Sequence, residues 1–117
     1  MTIKPDQLAE QGKQAFRKKD FNAAVELFKQ ASEAYELDHA GLMVAEMRNN
    51  LSVALLQAGK PQESLDAALD TDQVFADIKD VKRQGMALGN QAAALEALNR
   101  YDEAIEKYDL AAQLFSQ

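Results

Sequence analysis

The feature that most narrows what this chain can fold into is that it repeats itself at a period of 40 residues. Asp20-Phe21-Asn22-Ala23-Ala24-Val25-Glu26-Leu27-Phe28-Lys29-Gln30-Ala31 returns 80 residues on as Arg100-Tyr101-Asp102-Glu103-Ala104-Ile105-Glu106-Lys107-Tyr108-Asp109-Leu110-Ala111. A weaker copy, Lys60-Pro61-Gln62-Glu63-Ser64-Leu65-Asp66-Ala67-Ala68-Leu69-Asp70-Thr71, stands midway. A later aromatic keeps the same spacing at Tyr35, Phe75 and Phe115. A short unit at fixed period cannot bury its apolar face alone, so successive copies stack and cover one another.

The unit is helical. Alanine, leucine, glutamate, glutamine and lysine dominate, all good helix formers, and only two prolines and five glycines interrupt them. No stretch alternates apolar and polar residues with the period of two that a half-buried strand needs. Pro5 or Asp6 starts a first helix carrying Leu8, Gly12, Ala15 and Phe16 at spacings of three and four. Asn22 or Asp20 caps a second, whose stripe is Phe21, Ala24, Val25, Leu27, Phe28, Ala31, Ala34 and Tyr35. A third helix covers about 40–58 and ends at Gly59, the residue type best suited to a left-handed C-terminal position. A fourth runs from Pro61 to about Ile78. A fifth and sixth cover about 81–99 and 101–115, with Ala104, Ile105, Tyr108, Ala111, Leu114 and Phe115 as the last stripe. The expected architecture is all-α: an α-solenoid of three antiparallel helix pairs in one domain, 1–117, with repeats at about 5–38, 45–78 and 85–117.

Charge and chemistry exclude several functions. The net charge of −6 suits no phosphate backbone, whose binding needs clustered Lys and Arg; Arg17-Lys18-Lys19 reads as a solvated helix end. Nucleic acid is therefore not an expected partner. Cysteine is absent, which fits a cytoplasmic setting. Neither a signal peptide nor a membrane span is visible. His39 is the sole histidine, leaving no nucleophile–base pair. Glu36-Leu37-Asp38-His39 has a Glu-x-x-His spacing, but di-metal bundles need that motif twice with further carboxylates. No glycine-rich phosphate loop exists, and Gly85-x-x-x-Gly89 reads as close helix packing. The expectation is a non-enzyme with no metal and no cofactor.

The repeat resembles the tetratricopeptide repeat, over about residues 5–117. Small residues at the crossing of helix A and helix B correspond to Gly12, Ser52 and Ala92. The aromatic that opens helix B corresponds to Phe21 and Tyr101, Pro61 departing. The helix B ladder corresponds to Ala24, Phe28, Ala31 and to Ala104, Tyr108, Ala111, weakening to Ser64, Ala68, Thr71 in the middle copy. The usual unit is about 34 residues, so a period of 40 is similar to the long-helix variety of the kinesin light chains and the Leu-Gly-Asn adaptors.

The resemblance implies a right-handed superhelix whose concave face, lined by A helices, holds a partner's peptide or helix. Its groove residues would be Asp6, Ala9, Glu10, Lys13 and Phe16 in the first repeat, Glu46, Asn49, Asn50, Val53 and Leu56 in the second, and Met86, Gly89, Asn90, Ala93 and Glu96 in the third. Asn50 and Asn90 share one repeat position, where a side-chain amide can donate to and accept from an extended backbone. The alternative is an Asn bonded to its neighbouring helix or to water. The family's carboxylate clamp is not matched: Ala9, Lys13, Met86 and Asn90 fill four of its places and only Asn50 is of the right type. A different function class, self-association or membership of a longer scaffold, would use the uncapped edge of the last helix at Leu110, Leu114 and Phe115.

Overall fold

The computed structural model describes residues 3–116; Met1, Thr2 and Gln117, included in the expected 1–117 span, lie outside the described residues. Among those described, all regular structure is helical: α1 Pro5–Arg17, α2 Phe21–Leu37, α3 Gly41–Gln57, α4 Pro61–Ala68, α5 Thr71–Asp77, α6 Val81–Ala97 and α7 Tyr101–Phe115. α1 packs on α2, α3 on α4 and α5, and α6 on α7. Each A helix also packs on the preceding B helix, α3 on α2 and α6 on α4 and α5, which makes an α-solenoid of three helix pairs.

One kind of turn, used five times, sets this geometry. Residues Lys19, His39, Gly59, Lys79 and Asn99 all hold positive φ, between 56° and 80°. At each, the next residue's N–H reaches back to a carbonyl of the finished helix: Asp20 to Ala15, Ala40 to Tyr35, Lys60 to Leu55, Asp80 to Phe75 and Arg100 to Leu95, all at 2.9–3.0 Å. This Schellman arrangement satisfies carbonyls that the helix end leaves free. Gly59 is the only glycine of the five, so four turns hold a side-chain-bearing residue in a region that costs about 1 kcal/mol or more. Asp20 then caps α2 through the Ala23 N–H, and Asp80 caps α6 through the Arg83 N–H. His39 belongs to such a turn, exposed between two pairs.

The helix expected to run unbroken from Pro61 to Ile78 is divided. Leu69 is extended (φ −56°, ψ 131°) and Asp70 left-handed (φ 66°), after which α5 starts afresh. Aspartate tolerates that conformation better than most residues, but the larger cause lies elsewhere in the chain. The Arg48 guanidinium of α3 donates to the carbonyls of Leu69 at 2.9 Å and Asp66 at 3.2 Å. The Gln91 amide of α6 donates to the Ala68 carbonyl at 3.0 Å and to Asp72 at 2.8 Å. Side chains from both flanking A helices thus take the carbonyls that the break releases.

The core follows the chain as linked clusters. Leu8, Val25, Phe28, Met47, Leu51 and Leu55 fill the first, between α1, α2 and α3. Ala45, Phe75 and Ala87 join the middle pair to α6, and Leu65, Ala94, Leu95 and Ala104 join it to the last pair. The molecule spans 46 × 31 × 20 Å, a short stack with a face along each side. Ile105, Tyr108 and Phe115, expected in the buried stripe of the last helix, are exposed; in the earlier pairs a following A helix packs on the B helix.

Candidate functional site

The A helices α1, α3 and α6 jointly line a cleft of about 490 Å³. α1 supplies Asp6, Ala9, Glu10 and Lys13; α3 supplies Met43, Glu46, Met47, Asn49, Asn50 and Val53; α6 supplies Arg83, Met86 and Asn90. Glu10, Lys13, Glu46, Asn49, Asn50, Val53, Met86 and Asn90 are therefore brought together. Ala93, one turn further along α6, is not part of this lining.

Five lining residues were not foreseen. Tyr35 and Phe75 also reach the cleft, although their shared spacing reads as packing alone. Met43 and Arg83 belong to the first turns of α3 and α6, which start four residues earlier in the repeat than α1 does. Met47 is almost wholly buried and shows the cleft only its edge.

Two of the cleft's charged side chains, Glu46 and Arg83, neutralise each other. Arg83 Nε lies 2.7 Å from a Glu46 carboxylate oxygen, and its Nη1 lies 2.9 Å from Asp80. The Asp80 hydrogen bond foremost, and then the Glu46 charge, hold the Arg83 guanidinium above its ordinary value. Burial, then the carboxylates of Asp6, Glu46 and Asp38, push the Tyr35 hydroxyl up. Glu10 and Arg17 approach only to 3.7 Å, both well exposed, a geometry that contributes little. Among the described residues Lys13 has no carboxylate partner.

The asparagines divide into two kinds. Asn49 is tied to the fold: its Oδ1 lies 2.9 Å from the Thr71 hydroxyl, beside the helix break. Asn50 and Asn90 are half-buried in the cleft wall. Among the described residues neither amide has a hydrogen-bond partner, and they face the cleft one repeat apart.

A smaller pocket of about 230 Å³ adjoins this cleft and shares Lys13, Asn50 and Val53 with it. Phe16 and Phe28 supply its apolar wall and Arg17 its outer edge. Phe16 is fixed there by an edge-on contact with Phe21, ring centroids 5.3 Å apart. Phe28 is fixed by Gly12, where an added Cβ would stand 2.7 Å from the ring. The pocket can take an apolar side chain, and the cleft beside it can take the polar backbone that carries one.

At the far end of the stack, Phe115 and Leu110 are exposed and Leu114 is half-buried. Five positions separate Leu110 from Phe115, about 140° around a helix, so the three do not share one face. Among the described residues no group of three or more His, Cys, Asp or Glu could hold a metal ion, and no helix is long and apolar enough to cross a membrane.

A family model described as Tetratricopeptide repeat matches residues 10–73 and 76–117. No curated protein matches the chain.

Proposed function

The chain belongs to the tetratricopeptide repeat family, and from that premise we propose that it is a non-catalytic interaction module holding an extended segment of a partner protein in the cleft between α1, α3 and α6. Repeats of this family generally mediate protein–protein interaction. The observation that carries the finer reading is the pair Asn50 and Asn90: two half-buried amides at one repeat position, lining one cleft, with no partner of their own among the described residues. A polar group that gives up water needs a hydrogen bond in return, and an extended backbone offers a donor and an acceptor at each residue. An apolar side chain of the same segment would enter the pocket of Phe16, Phe28 and Val53. The period of 40 supports placing the chain with the long-helix variety similar to the kinesin light chains and the Leu-Gly-Asn adaptors.

The test is affinity capture with the wild-type chain and with the Asn50→Ala, Asn90→Ala variant, followed by titration of peptides cut from the captured protein. Loss of two bonds to the bound backbone is expected to weaken binding about tenfold or more, at about 1 kcal/mol each. Equal recovery of the same partners at equal strength would sink the reading. The proposed setting is cytoplasmic, in keeping with the absence of cysteine.

The alternative, self-association or a place in a longer scaffold through Leu110, Leu114 and Phe115, draws on the exposure of Phe115. It is the weaker reading, because Phe115 points about 140° away from Leu110 around the helix.

A further inference from the structure

Two counterpart positions are sealed in the first two helix pairs and open in the last, and a third, half-buried at Tyr35, is sealed at Phe75 and open at Phe115. Val25 and Leu65 are 4% and 6% exposed, and their counterpart Ile105 is 57% exposed. Phe28 and Ala68 are 3% and 0% exposed against 41% for Tyr108, and Phe75 is 0% against 56% for Phe115. In the earlier pairs this surface is where the next A helix lies, α3 on α2 and α6 on α4 and α5. At 100° per residue Tyr101, Ile105, Tyr108, Ala112 and Phe115 fall on one stripe of α7. Its far end is firmly seated: a Cβ on Gly85 would stand 2.7 Å from the Phe115 ring. The stripe is thus a preformed seat for an antiparallel helix.

Charge decides which helix fits. The outer border of the stripe carries Asp102, Glu106 and Asp109, none paired with a cation among the described residues. Arg100 is consumed by Glu103, at 2.6 and 2.8 Å. A second copy fits badly in each arrangement. Head-to-tail stacking would lay α1 on α7, and the α1 counterparts of Met47, Leu51 and Ala54 are Gln7, Gln11 and Gln14, all exposed, with only Ala15 in the place of Leu55 apolar. Antiparallel pairing of two α7 stripes would set one acidic border against the other, and parallel pairing would align the two helix dipoles.

We propose that the Tyr101–Ile105–Tyr108–Phe115 stripe of α7 is a second docking surface, separate from the cleft, for an amphipathic helix of another protein whose apolar stripe is bordered by Lys or Arg. The seat supplies apolar area and the acidic border supplies orientation and selectivity.

The test uses the full chain and a synthetic helical peptide carrying the α3 stripe Met47, Leu51, Ala54 and Leu55 bordered by lysines, with a twin bordered by glutamates. The lysine peptide is expected to bind more tightly than its twin and to shift the NMR signals of Ile105 and Ala112 while leaving Asn50 and Asn90 unmoved. Ile105→Glu, on an exposed position that leaves the fold intact, should weaken it about tenfold or more. Asp102→Lys, Glu106→Lys and Asp109→Lys together should reverse the preference between the twins. Equal binding of the twins, shifts confined to Asn50 and Asn90, no binding of either peptide at millimolar concentration, or a dimer in sedimentation that Ile105→Glu abolishes would each overturn the proposal. The readout at Ile105 is independent of the cleft variants, so either site can fail alone.

Discussion

Ser52 of α3 and Ser64 of α4, both fully buried, exchange hydrogen bonds across the middle helix crossing. The Ser52 hydroxyl donates to the Ser64 carbonyl at 2.8 Å, and the Ser64 hydroxyl donates to the Ser52 carbonyl at 2.7 Å. Gly12 with Ala24 and Ala92 with Ala104 occupy the matching places in the other pairs, so small size is the common requirement and the hydroxyls are an addition. Ser52→Ala is expected to cost about 1 kcal/mol or less, since the Ser64 hydroxyl keeps its own acceptor. Ser52→Leu should cost about 2–3 kcal/mol by forcing the two backbones apart. Urea midpoints decide, and equal tolerance of Ala and Leu would mean that the crossing is not tight.

Gly12 and Gly89 are both interior to A helices yet should respond oppositely to alanine. A Cβ at Gly12 meets the Phe28 ring at 2.7 and 2.8 Å, whereas one at Gly89 meets nothing within 4 Å. Gly89→Ala should stabilise by about 0.5–1 kcal/mol through helix propensity. Gly12→Ala should destabilise by about 1–2 kcal/mol, because overpacking exceeds the same propensity gain. Thermal melts of the two variants check this, and a common sign for both would contradict the contact geometry.

The left-handed turns offer a second pair of opposed outcomes. Lys79 at φ 61° and Gly59 at φ 80° hold the same place in successive turns. Lys79→Gly should raise stability and Gly59→Ala lower it, each by about 1 kcal/mol. Chemical denaturation of both variants would reveal a mistake in the turn assignment if Lys79→Gly lost stability.

Asp80 links acid sensitivity to the start of α6. Its carboxylate accepts from the Arg83 N–H at 3.1 Å and from the Arg83 guanidinium at 2.9 Å. These bonds, the side-chain one first, hold it below the ordinary value near 3.8. A carboxyl with a lower value in the folded state contributes stability that is complete above its unfolded value and fades as pH falls through the folded one. Asp80→Asn should therefore lose stability at neutral pH and show a shallower decline below about pH 4. Parallel stability–pH curves for the variant and the wild type would remove Asp80 from the acid response.

The cleft was legible in part. Asn50 and Asn90 could be singled out because the repeat register aligned them, and the register also selected Glu10, Lys13, Glu46 and Met86 by helical angle alone. Arg83 and Tyr35 could not be found that way. Arg83 enters through the first turn of α6, which starts earlier in the repeat than α1 does, and Tyr35 enters from a B helix expected to contribute only packing. Asn49 was expected in the groove beside Asn50, but the Thr71 hydroxyl 2.9 Å away gives it a structural partner that no local pattern displays.

What the chain determined by itself was periodic and local: helices of fixed phase, turns at Lys19, His39, Gly59, Lys79 and Asn99, and small residues wherever A and B helices cross. Those properties depend on residues within a few positions of one another, so a repeated sequence repeats them. What only the tertiary structure decided depends on residues from other helix pairs. The break at Leu69–Asp70 exists because Arg48 and Gln91, 21 and 23 positions away from the carbonyls of Leu69 and Ala68, take the groups it frees. The weakened middle copy is held by Ser52, Ser64 and Thr71 hydrogen bonds in place of an aromatic ladder. The same Ala-aromatic-Ala pattern lies buried in α2 and its Tyr108 ring stands open in α7, because burial belongs to the neighbour that covers a surface and not to the residues that compose it.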